Sequence, residues 1–191
     1  MEQIIDLDRE LFLLLNGLYD AQLDQIMYLI SGNLVWIPLY GFLIYYVVKS
    51  DKQNAWIVLL GIVLTILLSD QITSGFMKPL FMRLRPTWDS HLSSLVHVVN
   101  DYRGGKFGFP SSHAANTFSV TLLIFLVFRK NWMLFLFLWP LIVSYSRIYL
   151  GVHFPLDIFV GWIMGSLCAF SSFLIYKAVS KYIDNKKTPS Y

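Results

Sequence analysis

Five apolar runs, each closed by a short polar stretch, dominate the chain: 34–48, 55–77, 114–128, 132–145 and 155–176. Runs of this length and continuity match helices that cross the roughly 30 Å hydrocarbon layer of a bilayer. The first belongs to a helix that starts near residue 23 and is expected to bend where Ser31, Gly32, Asn33 and Pro38 interrupt it. Residues 4–18 read differently. Ile4, Ile5, Leu7, Leu11, Phe12, Leu14, Leu15 and Leu18 alternate in helical phase with Asp6, Asp8, Arg9 and Glu10, the pattern of a helix lying in the membrane interface. A span over 10–30 would carry Asp20 and Asp24 and would make a sixth. The expected fold is therefore all-α: a polytopic membrane helix bundle of five or six transmembrane helices with an N-terminal amphipathic interfacial helix over 1–20. Gly161 and Gly165, four apart in the last run, are spaced for close helix contact.

Composition agrees. The 191 residues are 56% hydrophobic and only 14% charged, against about 25% charged in soluble domains. This excludes an ordinary soluble domain, and the length suits one membrane domain over 1–191. No secretory cleavage pattern opens the chain. The single cysteine, Cys168, lies in an apolar run and forms no internal disulfide. The net charge of +3 says little, but its placement is informative. Lysine and arginine collect in the turns at 49–52 and 129–130 and from Lys177 onward, which assigns these to the cytoplasmic side; 178–191 is expected to be a short disordered tail there. Alternation of the spans then puts Lys78, the loop 79–111, His113, Arg147, His153 and Asp157 on the extracytoplasmic face. Arg83, Arg85, Arg103 and Lys106 in that loop break the charge bias, and anion binding is a reason for them to do so.

The candidate chemistry sits on that face. Residues 146–157 hold a serine, an arginine, a histidine and an aspartate between apolar flanks, where ionisable groups are expensive. His153 and Asp157, four apart, share one helical face if the segment is helical, and a carboxylate so placed orients an imidazole. A snorkelling arginine with a helix-capping histidine explains the same stretch. The span 55–77 ends in Ser69, Asp70, Gln71, Thr73 and Ser74 before Lys78, a polar end that faces a site more readily than lipid; for Asp70 and Thr73 hydrogen bonding between helices is the simpler reading. Ser111 and Ser112 precede the third span as caps and as donors to an anion. Lys78, Arg85 and Arg147 together suit a tetrahedral oxyanion and would repel a metal, so no metal, no cofactor and no nucleic acid is expected.

In order along the chain, Lys78-x6-Arg85-Pro86, Pro110-Ser111-Ser112-His113 and Ser146-Arg147-x5-His153-x3-Asp157 resemble the three-part signature of the type 2 phosphatidic acid phosphatase family. The first and third parts match fully; Ser112 stands where the family has glycine. The resemblance implies a metal-independent lipid phosphatase in which His153 is the nucleophile, forming a phosphohistidine, and Asp157 holds it. It gives His113 the role of protonating the leaving oxygen, and Lys78, Arg85, Ser111, Ser112 and Arg147 that of binding the phosphoryl oxygens. It implies a membrane lipid phosphate as substrate, with undecaprenyl diphosphate and lipid A phosphate leading, and a bacterial inner membrane as the setting. Trp88, Arg103 and Lys106 either select a headgroup or are ordinary loop residues. The signature also resembles that of vanadate-binding haloperoxidases, against which the apolar spans argue. A non-catalytic membrane protein that binds lipid phosphate is the remaining alternative.

Overall fold

The computed structural model describes residues 2–187. Its helices are α1 (Glu2–Asn16), α2 (Ala21–Ser31), α3 (Ile37–Ser50), α4 (Ala55–Phe81), α5 (Ser112–Phe128), α6 (Asn131–Tyr149) and α7 (Pro155–Lys187). Among the described residues the strand-like pairing is one isolated bridge, Leu84 with Phe107. Three helices, α4, α6 and α7, are long and apolar enough to cross a membrane, and α2 with α3 make a fourth if the pair, bent by 73°, is one span. The bend falls at Gly32–Asn33, where the apolar pattern predicted it. Helix α5 is apolar but shorter, at 17 residues.

The helices are inside-out relative to a soluble bundle. Helix α4 turns Trp56, Leu60, Val63 and Leu67 outward and buries Thr65, Ser69 and Thr73. Helix α7 exposes Phe159, Leu167 and Leu174 and buries Ser172. An apolar outer face costs nothing against hydrocarbon. Of the buried hydroxyls, Thr73 is satisfied within its own helix, on the Ser69 carbonyl at 2.7 Å, whereas those of Thr65, Ser69 and Ser172 have no partner among the described residues. Thr73 thus bonds within α4 and not to a neighbour.

Helix α5 is central, packed on α4, α6 and α7. Its closest neighbour is α7, and Gly161 and Gly165 are the reason. A Cβ built on Gly161 would lie 2.7 Å from the Ser111 carbonyl oxygen, and one on Gly165 would lie 2.5 Å from that of Ala115. Both obstacles are backbone and cannot step aside. A Gly161→Ala variant should lose about 1–3 kcal/mol of stability, the usual cost of overpacking, seen as a lower unfolding temperature in detergent. An unchanged temperature would show that the two helices have room to part.

The two ends of the bundle differ. At one end Val47, Ala55 and Val58 pack with Val127, Phe128 and Tyr176, so the lysine- and arginine-bearing turns after α3 and α5 lie together beside α7. At the other, the N–H of Ser111 donates to the Asp157 carbonyl at 2.9 Å, joining the starts of α5 and α7. Helix α1 braces this second end. Its Asn16 amide donates to the Ile148 and Tyr149 carbonyls at 3.1 and 2.8 Å, satisfying the end of α6, and Phe12 meets Phe154 edge-on at 5.3 Å. Asp8, Phe12 and Asn16 are buried, while Ile4, Leu7, Leu11 and Leu14 are exposed.

One expectation fails. The chain from 178 is helical up to Lys187, not a disordered tail. Ala178, Val179, Tyr182 and Ile183 keep a helical spacing, and no glycine or proline intervenes before Pro189. Residues 188–191 of the expected tail lie outside the described residues.

Candidate active site

Helix α4 delivers the first cation. Its segment Gln71–Met77 is π-helical, a widening that re-aims side chains and is frequent at functional sites. Beyond it Lys78 Nζ donates to Ser112 Oγ at 2.7 Å and Ser74 Oγ at 3.2 Å, and the two hydroxyls are 2.6 Å apart. Ser112 therefore meets the lysine through its hydroxyl, a contact that glycine at that position would lack. Asp70, one turn deeper, accepts from Ser74 Oγ at 3.2 Å; like Thr73, it bonds within α4.

The loop between α4 and α5 delivers the second. Met82 ends α4 in the left-handed region. Arg85 N–H then donates to the Lys106 carbonyl at 3.1 Å, and Gly108 N–H to that of Arg83 at 2.9 Å, so the two sides of the loop clasp each other. Arg85 Nε donates to the Phe107 carbonyl at 3.2 Å, while its buried Nη1 has no partner. Burial, and then the positive charge of Arg147, hold the Arg85 guanidinium below its ordinary value. Trp88, Arg103 and Lys106 are exposed and line no part of the cavity described below.

Arg147, on the last turn of α6 and 2% exposed, is the third cation. It donates to Ser31 Oγ and, at 3.1 Å, to the Tyr102 hydroxyl, while its Nε is unpartnered. Burial alone would raise Tyr102; the charges of Arg147 and Arg85 outweigh it and bring the phenol below its ordinary value. Among the described residues none of Lys78, Arg85 and Arg147 makes a salt bridge with a carboxylate.

After α6 the chain turns sharply at Gly151, at φ +72°. Only glycine fits, because a Cβ there would strike Val96. The turn sets His153 just before α7. His153 is 1% exposed, and its Nδ1 is 3.3 Å from Asp157 Oδ2. The same oxygen accepts the Phe154 N–H at 3.0 Å. With Nδ1 facing a carboxylate, Nε2 is the nitrogen left free. Burial, then the charges of Arg85, Arg147 and Lys78, push His153 well below its ordinary 6.5, so the imidazole is neutral at neutral pH and has its lone pair available. Gly108 packs over the pair: a Cβ there would lie 3.0 Å from Asp157 Oδ2 and 3.5 Å from His153 Nδ1. Ser111 caps α5, its hydroxyl accepting the Ala114 N–H at 3.4 Å, and His113 is the second residue of the same helix.

A cavity of about 750 Å³ joins the three cations to Ser112 and His113; Ser111, His153 and Asp157 are not among its lining residues. Lys78, Arg85, Tyr102, Ser112, His113 and Arg147 line its polar end, and Leu43, Leu59, Ile62, Ile66, Val120 and Ile124 its apolar one, with Asp70, Ser74 and Asn116 between. The arrangement is that of a cationic anchor for a small anion at the head of an apolar slot. Ser31 and Tyr102 take part in it without any local pattern in the sequence that marks them, whereas Ser74 belongs to the polar end of the 55–77 run.

The PAP2 superfamily model matches residues 39–181. A lipid A 4′-phosphatase from Bacteroides thetaiotaomicron is 38% identical over 92% of this chain and 78% of its own length. An undecaprenyl-diphosphatase from Sulfolobus acidocaldarius is 32% identical over 90% of this chain and 79% of its own. The crystal structure of the transmembrane PAP2 type phosphatidylglycerolphosphate phosphatase from Bacillus subtilis superposes with a TM-score of 0.65 at 23% identity, over 96% of this chain and 89% of that one.

Proposed function

The chain belongs to the PAP2 superfamily, and from that premise we propose that it is a multi-pass membrane phosphatase that cleaves a lipid-borne phosphate through a phosphohistidine on His153. The observation that carries this reading is the set of three cations without carboxylate partners, Lys78, Arg85 and Arg147, at the mouth of an apolar slot. Phosphoryl transfer rests on positioning and on neutralising equatorial charge, and these three, with the Ser111–Ser112 helix start, provide both. His153 Nε2 attacks phosphorus; the new N–P bond forms as the P–O bond to the lipid breaks. His113, at the start of α5 on the cavity lining, gives its proton to the departing oxygen. It then takes a proton from water, whose oxygen attacks phosphorus and expels His153. Asp157 holds the Nδ1–H throughout and supports the positive charge that the ring carries in the intermediate. The charge on phosphorus is met by side chains, so release proceeds with a chelator present.

The substrate we favour is a phosphate on a sugar of a lipid A-type molecule. The Bacteroides relative supports this, and so does the middle of the cavity. Among the described residues Asn116 Oδ1 is buried without a partner, and the Asp70 carboxylate, which accepts from Ser74 on Oδ1, also lines the slot. Both are acceptors. Sugar hydroxyls or amide N–H groups next to the phosphate would satisfy them; a polyprenyl chain has none to offer. We assign the site to the extracytoplasmic leaflet because it lies at the end away from the lysine- and arginine-bearing turns. Counting α2–α3 as one span and adding α5 makes five crossings, with α1 in the interface.

Phosphate release by the purified protein in detergent with chelator, from lipid A-type substrate and from undecaprenyl diphosphate, tests this. The former should win in kcat/KM by about 100-fold or more, since sites built around hydrogen bonds reject partners that cannot make them. Reversal of that order would replace the substrate; binding without release from either would replace catalysis by lipid-phosphate binding.

A further inference from the structure

Arg83 belongs to none of the three signature segments' named positions, and it does not line the cavity. Its Nη1 donates to Asp157 Oδ1 at 2.8 Å and its Nη2 to Asp8 Oδ2 at 2.5 Å. Its guanidinium carbon stands 4.2 Å from the centre of the Phe154 ring. Asp8, in turn, accepts the N–H of Leu156 on its other oxygen at 2.8 Å. The side chains of Asp8 and Asp157 are 5% and 0% exposed, and that of Arg83 is 22% exposed. A closed circuit results: Asp8 grips both Arg83 and the first turn of α7, and Arg83 grips the carboxylate that this turn carries.

We infer that Arg83 and Asp8 are positioning residues for the His153–Asp157 pair, which makes the N-terminal helix α1 part of the catalytic apparatus. The physical reason is competition. A buried carboxylate near Lys78, Arg85 and Arg147 is drawn towards them, and without a counter-pull it would turn Oδ2 away from His153. Arg83 supplies Asp157 with a cation of its own, on the side away from the cavity, and leaves Oδ2 facing His153. Asp8 balances the charge of Arg83 and fixes its fork, so the guanidinium is not drawn towards substrate. The inference rests on the functional reading above, since it concerns the same reaction.

Steady-state kinetics on lipid phosphate, with inorganic phosphate as inhibitor, tests it. Arg83→Gln should lower kcat by about 10- to 100-fold, the range for groups that orient a reacting imidazole at one remove. KM and inhibition by phosphate should stay unchanged, because the three cavity cations are untouched. Asp8→Asn should show a smaller loss of the same kind, and the double variant should fall no further than Arg83→Gln alone, as expected of two members of one circuit. Guanidinium ion added to Arg83→Ala should restore part of kcat. Losses that multiply in the double variant, or an Arg83→Gln enzyme with full kcat, would overturn the inference while leaving the phosphatase reading intact; wild-type protein that releases no phosphate would overturn both. Should Arg83→Gln not fold, Arg83→Lys and Asp8→Asn carry the test: each must lower kcat alone, and a change confined to KM in either refutes the circuit.

Discussion

His153→Ala should abolish turnover, lowering kcat by about four to six orders of magnitude, as removal of a nucleophile does elsewhere. The size follows from the chemistry of the site. The imidazole is 1% exposed, so no water takes over its position at hydrogen-bond cost alone. Its neighbours Lys78, Arg85 and Arg147 are donors without a lone pair to give. His113 lies on the cavity wall, where the proposed mechanism uses it as proton carrier, and has no carboxylate partner like Asp157 among the described residues. The variant should still bind inorganic phosphate, because the cations remain. Wild-type enzyme quenched during turnover of radiolabelled substrate should retain an acid-labile label that His153→Ala lacks. Activity within tenfold of wild type, or a label that survives the substitution, would assign the attack to water or to another side chain.

Much of this geometry is local and so could be read from the chain. His153 and Asp157 lie four apart and meet at 3.3 Å, although His153 stands two residues before the first residue of α7, and Ser111 is a cap by its position before an apolar run. Gly161 and Gly165 declare a close helix contact because nothing else explains two glycines one turn apart in an apolar helix. What escaped was every contact between distant residues with no shared period. Arg83 reads as one more loop cation, yet it bridges carboxylates 75 and 74 residues away. Ser31 and Tyr102 read as ordinary polar residues until the fold brings them against Arg147. The N-terminal helix shows the limit most plainly. Its charges mark a polar face, and a polar face suggests water; in the bundle Asp8 and Asn16 instead point inward, to arginine and to the open carbonyls at the end of α6. In a protein whose outer surface is apolar, amphipathicity fixes the period of a helix but not which face is buried.

Lys78→Met should separate stability from function. Catalysis should fall by about 10²- to 10³-fold in kcat/KM, the usual effect of removing one donor from an oxyanion site. The ligand-free protein, by contrast, should unfold at the same or a higher temperature. Lys78 places an ammonium in a part-buried pocket beside Arg85 and Arg147 with no salt bridge among the described residues, and such a charge is destabilising until an anion arrives. Methionine removes the charge and keeps the length, and the Ser74 and Ser112 hydroxyls, 2.6 Å apart, still satisfy each other. Phosphate should then distinguish the two proteins. Wild type gains stability by mass action, about 2.7 kcal/mol at a phosphate concentration 100 times the dissociation constant. The variant, binding more weakly, gains correspondingly less at the same concentration. Equal stabilisation of both by phosphate would mean that the anion sits elsewhere. A strongly destabilised Lys78→Met would mean that the lysine is a structural tie between α4 and α5. The expected pair of results, loss of activity without loss of stability, follows from a cluster of like charges held together by the fold for an anion that the protein itself does not contain.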